Sequence, residues 1–373
     1  MSSHAILSAS GAHRWLNCTP SARLELNFPD SSGESAREGT FAHALAELKL
    51  NNFLEPQDGN KLKSMKKNEF YSPELEEYVD EYVEMVTEKL VSSGGQLIIE
   101  SRLDFSDYVP KGFGRGDAII LGDNTIEVCD LKYGRNVPVS AVDNPQLRLY
   151  GLGALSEYGA FMDAETVTMT ICQPRNGGIS SETLTVKELT DWGNAIKAIA
   201  ETAFKGEGST CAGEWCRFCK AKVRCRTLAD YNLELEKFSH ADLLTDDEMA
   251  EVLERAEKLK TWVNKITEYA YDEAVNGRHW KGFKLVEGRS IRRYISESAV
   301  IKTLKEEGFT EDDFLKPREL QTITGLEKLL GKKKFSELLG DFIDKPAGKP
   351  VLVPESDKRP AIGEMFTDLG GNE

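Results

Sequence analysis

Two aspartates and a lysine fall close together in the stretch GRGDAIILGDNTIEVCDLKYG: Asp117, Asp130 and Lys132. Side chains alternate along a strand, so Asp130 and Lys132, two residues apart, share a face. Ile126, Val128 and Leu131 give that strand a largely buried pattern. Charges in such a place are costly unless paired or bound to a metal. The chemistry that uses these groups is phosphodiester hydrolysis. Carboxylates hold a hard divalent cation through oxygen, the cation polarises a phosphate and acidifies a bound water, and an ammonium group stabilises the developing charge. A surface hairpin with solvated charges explains the same residues, and D-x-K is common by chance. His43, in the run GTFAH, has small and apolar neighbours, with Glu47 one helical turn further on. Neutral imidazole suits Mn2+-type ions better than Mg2+, although a lone helical histidine also serves as a packing residue. Gln146 and Tyr150 are four apart in a helical stretch and share a face, from which both reach a phosphate or a base edge. Ordinary helix packing is their other reading.

Seven cysteines are present: Cys18, Cys129, Cys172, Cys211, Cys216, Cys219 and Cys225. The last four are close in sequence, and in a chain without a secretory leader that clustering reads as metal binding rather than disulfides. Cys216-x2-Cys219-x5-Cys225 supplies three thiolates among Arg217, Lys220, Lys222, Arg224 and Arg226. A fourth ligand comes from nearby Cys211 or from distant Cys18. C-x2-C serves Zn2+ as well as iron–sulfur. Cys129 faces away from Asp130 on its strand and Cys172 sits in another strand, so both read as packed thiols.

These groups must be positioned by a mixed α/β core. Residues 36–50 read as a helix. So do residues 73–91, with Ser72 as cap, Pro73 at the first position and an apolar stripe from Leu75 to Leu90. Gln96–Leu103, Gly116–Leu121 and Thr125–Lys132 read as strands. A helix from Pro145 to Tyr158, strands at Thr166–Gln173 and Glu182–Val186, and a helix from Val186 to Phe204 follow. A long helix is predicted over 245–275, opened by a Thr245/Glu248 capping box and ended by Gly277.

GTFAH, GRGD, D-L-K and Q-L-R-L-Y occur in this order and at these separations, and together they resemble the RecB-type nucleases of the PD-(D/E)xK superfamily. The resemblance implies a restriction-endonuclease-like core, a mixed central sheet flanked by helices. Carried over by position, it makes His43, Asp117 and Asp130 ligands of Mg2+ or Mn2+ and Lys132 the catalytic lysine. Gln146 and Tyr150 become substrate-side residues, and Glu100 on the preceding strand a further carboxylate of weaker match. The N-terminal LSASGAHRWLNCTPSARLE, with the C-x2-C-x5-C segment, is similar to AddB-type and CRISPR-adaptation nucleases, which gather such cysteines around a 4Fe-4S cluster. Thr19 between Cys18 and Pro20 departs from that pattern. The resemblance implies Cys18, Cys216, Cys219 and Cys225 as ligands, with Cys211 spare, in a structural cluster that closes a very long loop. Zn2+ is the alternative.

The composition sets limits. The chain has 373 residues, 47 Lys+Arg against 62 Asp+Glu, and a formal charge of −15, so any DNA path must be a local groove. A mean hydropathy of −0.41, without a long apolar run, argues against a membrane span. The run from Gly325 to Lys333 reads G-x5-G-K-K and is no P-loop, so no helicase motor is expected. The expected divisions are a nuclease domain over 1–230 closed by the cysteine cluster, a helical connector over 231–280, a small α-rich region over 281–343, and a poorly packed tail over 344–373. Arg289, Arg292, Arg293 and Lys332–Lys334 are candidate DNA contacts, and Met365, Phe366 and Leu369 a candidate docking segment. The whole chain resembles an uncharacterised family common in phages and prophages. The expectation is therefore a metal-dependent deoxyribonuclease in the cytoplasm of a bacterial host, an exonuclease acting on DNA ends or single strands, with a phage recombination or replication protein as partner. The rivals are a non-catalytic DNA-binding scaffold and an RNase.

Overall fold

The computed structural model describes residues 5–29, 33–56, 59–135, 137–176, 178–233, 245–286, 296–306, 310 and 322–343. The chain divides into two compact units, Met1–Leu233 and Glu234–Glu373. In the first unit the elements run α1 (Ala12–Asn17), α2 (Ser21–Glu25), α3 (Glu34–Leu54), α4 (Asn60–Met65), α5 (Pro73–Ser93), β1 (Gln96–Asp104), β2 (Phe113–Leu121), β3 (Thr125–Leu131), α6 (Pro145–Met162), β4 (Thr166–Gln173), β5 (Gly178–Thr185), α7 (Val186–Lys205) and α8 (Arg226–Leu233). The second unit contains α9 (Asp246–Val275), α10 (Glu297–Glu306), α11 (Ile323–Leu330) and α12 (Lys332–Leu339). Lys332–Lys334 open α12. Arg289, Arg292, Arg293, Met365, Phe366, Leu369 and the tail from 344 lie outside the described residues. Among the described residues, no helix is long and apolar enough to cross a membrane.

Local chemistry sets the ends of the elements. Ser72 Oγ accepts the Leu75 amide at 3.1 Å, Pro73 takes the first turn, and Gly94 ends α5 in the left-handed region. Asn144 Oδ1 accepts the amides of Gln146 and Leu147, and so opens α6 beside the candidate site. Capping boxes at Thr185/Glu188 and Thr245/Glu248 start α7 and α9. Several elements differ from their predicted bounds. β2 starts at Phe113, α3 spans 34–54, and β3 stops at Leu131, leaving Lys132 just past its end.

The five strands form one sheet in the order β1-β2-β3-β4-β5, antiparallel except for the parallel pair β3–β4, which α6 connects. β3 is buried on both faces, as a central strand between two helical layers must be. On one face, Ile119, Ile126, Val128, Val167, Met169 and Ile171 pack with α6, α7 and Trp15 of α1. On the other, Ala118, Ile120, Cys129, Leu131 and Cys172 pack with Phe41, Leu45 and Leu50 of α3 and Val79, Tyr82 and Val86 of α5. Burying each of the larger aliphatic and aromatic side chains contributes roughly 1.5–3 kcal/mol.

The alternation reverses at one place in β1 and β2. Leu97 belongs to the α3/α5 core, yet Leu103, six residues on, belongs to the α6 core. Across the ladder, Ala118 faces α3/α5, whereas a Cβ on Gly116 would stand 2.9 Å from Leu103 on the α6 side. The switch falls at Glu100 and Asp117, which the register sets opposite each other between the pairs Ile99↔Ala118 and Ser101↔Gly116. Glu100 has φ +52, a left-handed backbone that a glutamate adopts only at a cost of about 1–3 kcal/mol. Beyond the switch, Gly114 lets α6 approach: a Cβ there would lie 2.5 Å from Cε1 of Tyr150. Gly114→Ala is therefore expected to lower stability by about 1–3 kcal/mol, read as a fall in Tm, because neither the ring nor the strand has room to yield.

Candidate functional site

The switch builds a cage. Where the β2–β3 ladder ends at Ala118↔Cys129, the Asp117 carboxylate enters the gap, and its Oδ2 accepts the Leu131 amide at 2.8 Å. Its Oδ1 lies 3.1 Å from Nδ1 of His43, presented by α3. Glu100 completes the group: ligand atoms of His43, Glu100 and Asp117 all lie within 4.8 Å of one another. Asp130 adjoins it from β3. Lys132 Nζ is 2.7 Å from Asp130 Oδ2. Gln146 Nε2, from α6, donates to Asp130 Oδ1 at 3.4 Å and to the Tyr150 hydroxyl at 3.3 Å. The six residues that carry the resemblance in sequence thus converge, and Glu100 joins the compact group, with Asp130 beside it.

Charge is packed here against its preference. Burial pushes the Asp130 carboxyl up, and neighbouring Asp117 adds to the rise against the pull of Lys132. Burial also raises Asp117, but His43, the Leu131 amide and Lys132 outweigh it and leave that carboxyl below the usual range. Burial lowers His43, yet the Asp117 charge and hydrogen bond lift it overall. Glu100 is pushed up to about 7 by burial and then by Asp117, with Arg115 opposing. Burial also raises the Tyr150 phenol, which stays a proton donor.

A divalent ion fits this donor set. One imidazole nitrogen and carboxylate oxygens from β1 and β2 converge within ion-binding distance. Asp130 Oδ2 is buried, and its partner is the Lys132 ammonium at 2.7 Å. Two carboxylates side by side, Asp117 and Asp130, form a concentration of negative charge that a divalent ion offsets. Mn2+ is therefore expected to raise the Tm, by about 2.7 kcal/mol of stability at a hundredfold excess over its Kd, measured by thermal shift against EDTA.

Sequence reasoning missed the support behind Lys132. Gln173, at the end of β4 and 3% exposed, accepts the Val139 amide at 2.9 Å and donates to the carbonyls of Val137 (2.8 Å) and Gly134 (3.1 Å). Its one amide holds the loop that leaves β3. A glutamine closing an apolar run was the only signal. Arg175 stacks on Tyr133, 4.4 Å from the ring centroid, and pairs with Glu38 of α3. Glu47 lies one turn beyond His43 and bears on Glu100 through its charge.

The second candidate site joins distant parts of the chain. Cys18, at the end of α1, lines one small cavity together with Cys211, Cys216, Cys219 and Cys225. Cys18 is buried, Cys211 exposed and the other three half-buried. Thr19 donates to the Glu207 carbonyl at 2.6 Å, Arg23 to the Phe204 carbonyl at 2.7 Å, and the Lys220 amide to Glu25 at 2.7 Å. Glu25 also pairs with Arg14 at 2.6 Å. Among the described residues, no three of these sulfurs come within 4.8 Å of one another. Cys129 and Cys172 lie buried in the α3/α5 core, with Cys129 next to Asp130 but on the opposite face of β3.

A family model described as “Protein of unknown function (DUF2800)” matches residues 4–360. Among solved structures, the chain is similar to one described as “Crystal structure of SSO0001”, with 16% identity over 49% of this chain and 95% of that one. The TM-score is 0.25, too low to carry any argument about fold or function.

Proposed function

The chain belongs to the DUF2800 family of proteins of unknown function, and since that family brings no chemistry we propose from the site itself that the protein is a metal-dependent DNA nuclease of the RecB type, with a PD-(D/E)xK core, hydrolysing phosphodiester bonds at DNA ends or in single strands. The observation that carries this reading is the meeting of His43, Glu100 and Asp117 within 4.8 Å, with the Asp130–Lys132 pair alongside. His43, Glu100, Asp117 and Asp130 would hold Mg2+ or Mn2+, which supplies Lewis acidity and an acidified water.

The residues do the rest. Asp117 is fixed in its rotamer because the Leu131 amide and His43 occupy its two oxygens from opposite sides. Lys132 stands where an ammonium group stabilises charge developing on a phosphate oxygen. Gln146 orients Asp130 and presents the Tyr150 hydroxyl beside it, within reach of a substrate phosphate. Sequence-reading modules are not part of this reading, and so an exonuclease fits better than a site-specific endonuclease.

The same reading makes the cysteine cavity a 4Fe-4S site held by Cys18, Cys216, Cys219 and Cys225. Zn2+ is the alternative for such thiolates; the C-x2-C-x5-C spacing together with Cys18 supports the iron–sulfur cluster. Its role is to staple the N-terminal helices to the 204–225 segment. The test of function is incubation with end-labelled single- and double-stranded DNA and RNA in Mn2+, Mg2+ or EDTA. Metal-dependent shortening of DNA is expected. Binding without cleavage, unchanged by Asp130→Asn, would favour the scaffold, and cleavage of RNA alone an RNase.

A further inference from the structure

The β1–β2 ribbon continues past the cage, and there the register sets Arg102 directly opposite Arg115. Leu103 and Gly116 face α6 at this point, so by alternation both arginines project from the other face. Both are exposed, Arg115 at 71% of its side chain. Like charges directly opposite on neighbouring strands destabilise a sheet, and a chain with 62 acidic residues against 47 basic ones has ample means to avoid the pairing. Each arginine has an acidic neighbour. Arg102 stacks on the Phe113 ring, 4.1 Å from its centroid, and lies near Asp104, whose carboxylate is also engaged with the Ser106 amide at 2.8 Å. Arg115 reaches Glu100 at 3.4 Å. Glu100 is also one of the three cage residues, so a cation that draws its carboxylate leaves Arg115 without that partner.

We propose that Arg102 and Arg115 grip the phosphates of a DNA strand beside the scissile bond and so seat it on the cage. The inference rests on the nuclease reading and deepens it, by assigning the surface that holds the substrate. Guanidinium groups are suited to phosphate because their donors form a planar fork. Arg102 stands two residues from Glu100 and Arg115 two residues from Asp117, which puts the grip next to the chemistry, and in a chain of net charge −15 it is a local positive patch. Phosphate contacts carry no base information, which agrees with an enzyme that tolerates any sequence.

The experiment measures binding of a short fluorescein-labelled DNA single strand by anisotropy, with Ca2+ in place of the catalytic ion, over a series of salt concentrations. The Arg102→Gln/Arg115→Gln double variant should flatten the slope of log K against log salt by about 1.4, roughly 0.7 for each phosphate no longer neutralised. In Mn2+ it should raise KM for cleavage several-fold with kcat little changed. Lys187→Gln removes an equally exposed charge far from the ribbon and should leave the slope as it is. The Tm of the double variant should not fall, because a like-charge pair has been relieved. An unchanged slope and KM in a double variant of a protein that binds and cleaves DNA would overturn the grip and leave the nuclease standing. A wild-type protein that neither binds nor cleaves DNA would remove the nuclease reading, and the grip with it.

Discussion

Asp130→Asn is expected to lower the rate of DNA cleavage by about a thousandfold or more and to leave the fold intact. The carboxylate is 4% exposed in its side chain, and burial already disfavours its charge in the ion-free protein. Asparagine keeps the shape and removes that cost, so the Tm in EDTA should hold or rise. What is lost is an oxygen ligand and the electrostatic anchor of Lys132. Several kcal/mol of transition-state stabilisation is a reasonable share for a bound ion, and each 1.36 kcal/mol is tenfold in rate. The Tm gain from Mn2+ should shrink in the same variant. Lys132→Met separates the two roles: cleavage should fall by about 10²–10³-fold while the Mn2+-dependent gain in Tm survives. The check is a single-turnover assay on end-labelled DNA, run beside a thermal melt with and without Mn2+. Near-normal cleavage by Asp130→Asn would remove the proposed centre.

Cys18→Ser is expected to bleach a brown protein, empty it of iron and lower its Tm by more than any single surface change. Cys18 lies at the end of α1 and its partners nearly two hundred residues later, so a cluster held there would cross-link a very long loop. Without it, the N-terminal helices keep their packing on α7 and contacts such as Thr19–Glu207, Arg23–Phe204 and Glu25–Lys220. If the loss is about 4 kcal/mol, comparable to a large core truncation, a unit of this size should melt about 8–16 °C lower. Cys211→Ser should keep both iron and Tm, since Cys211 is the exposed member of the group. Absorbance near 400 nm and metal analysis read the result. A colourless protein carrying zinc would overturn the iron assignment, and iron lost with Cys211 but kept without Cys18 would overturn the ligand choice.

Wherever local rules act alone, the sequence is informative. Ser72-Pro73, Thr185/Glu188 and Thr245/Glu248 announce their helices because a cap is satisfied within four residues. The apolar run around Val128 announces a strand buried on both faces. Asp130 and Lys132 declare their shared face through the two-residue period of a strand, and Gln146 and Tyr150 theirs through the helical turn. Types and spacings of this kind are enough to nominate a cation-binding chemistry.

Only the folded chain decides the membership of the cage. Simple alternation gives Glu100 no privileged place, and it enters because the backbone turns left-handed there, opposite Asp117, reversing the faces of both strands. That turn is strained and stands only because two helical layers hold the strands on either side of it. Gln173 is invisible for the same reason: its importance is a set of hydrogen bonds to a loop more than thirty residues away. Whether Cys18 meets the later cysteines depends on how α1 and α2 dock on α7, a matter of packing between segments far apart in the chain. Composition and period are properties of neighbours in sequence, whereas a ligand set is a property of neighbours in space, and the two coincide only along a single strand or helix.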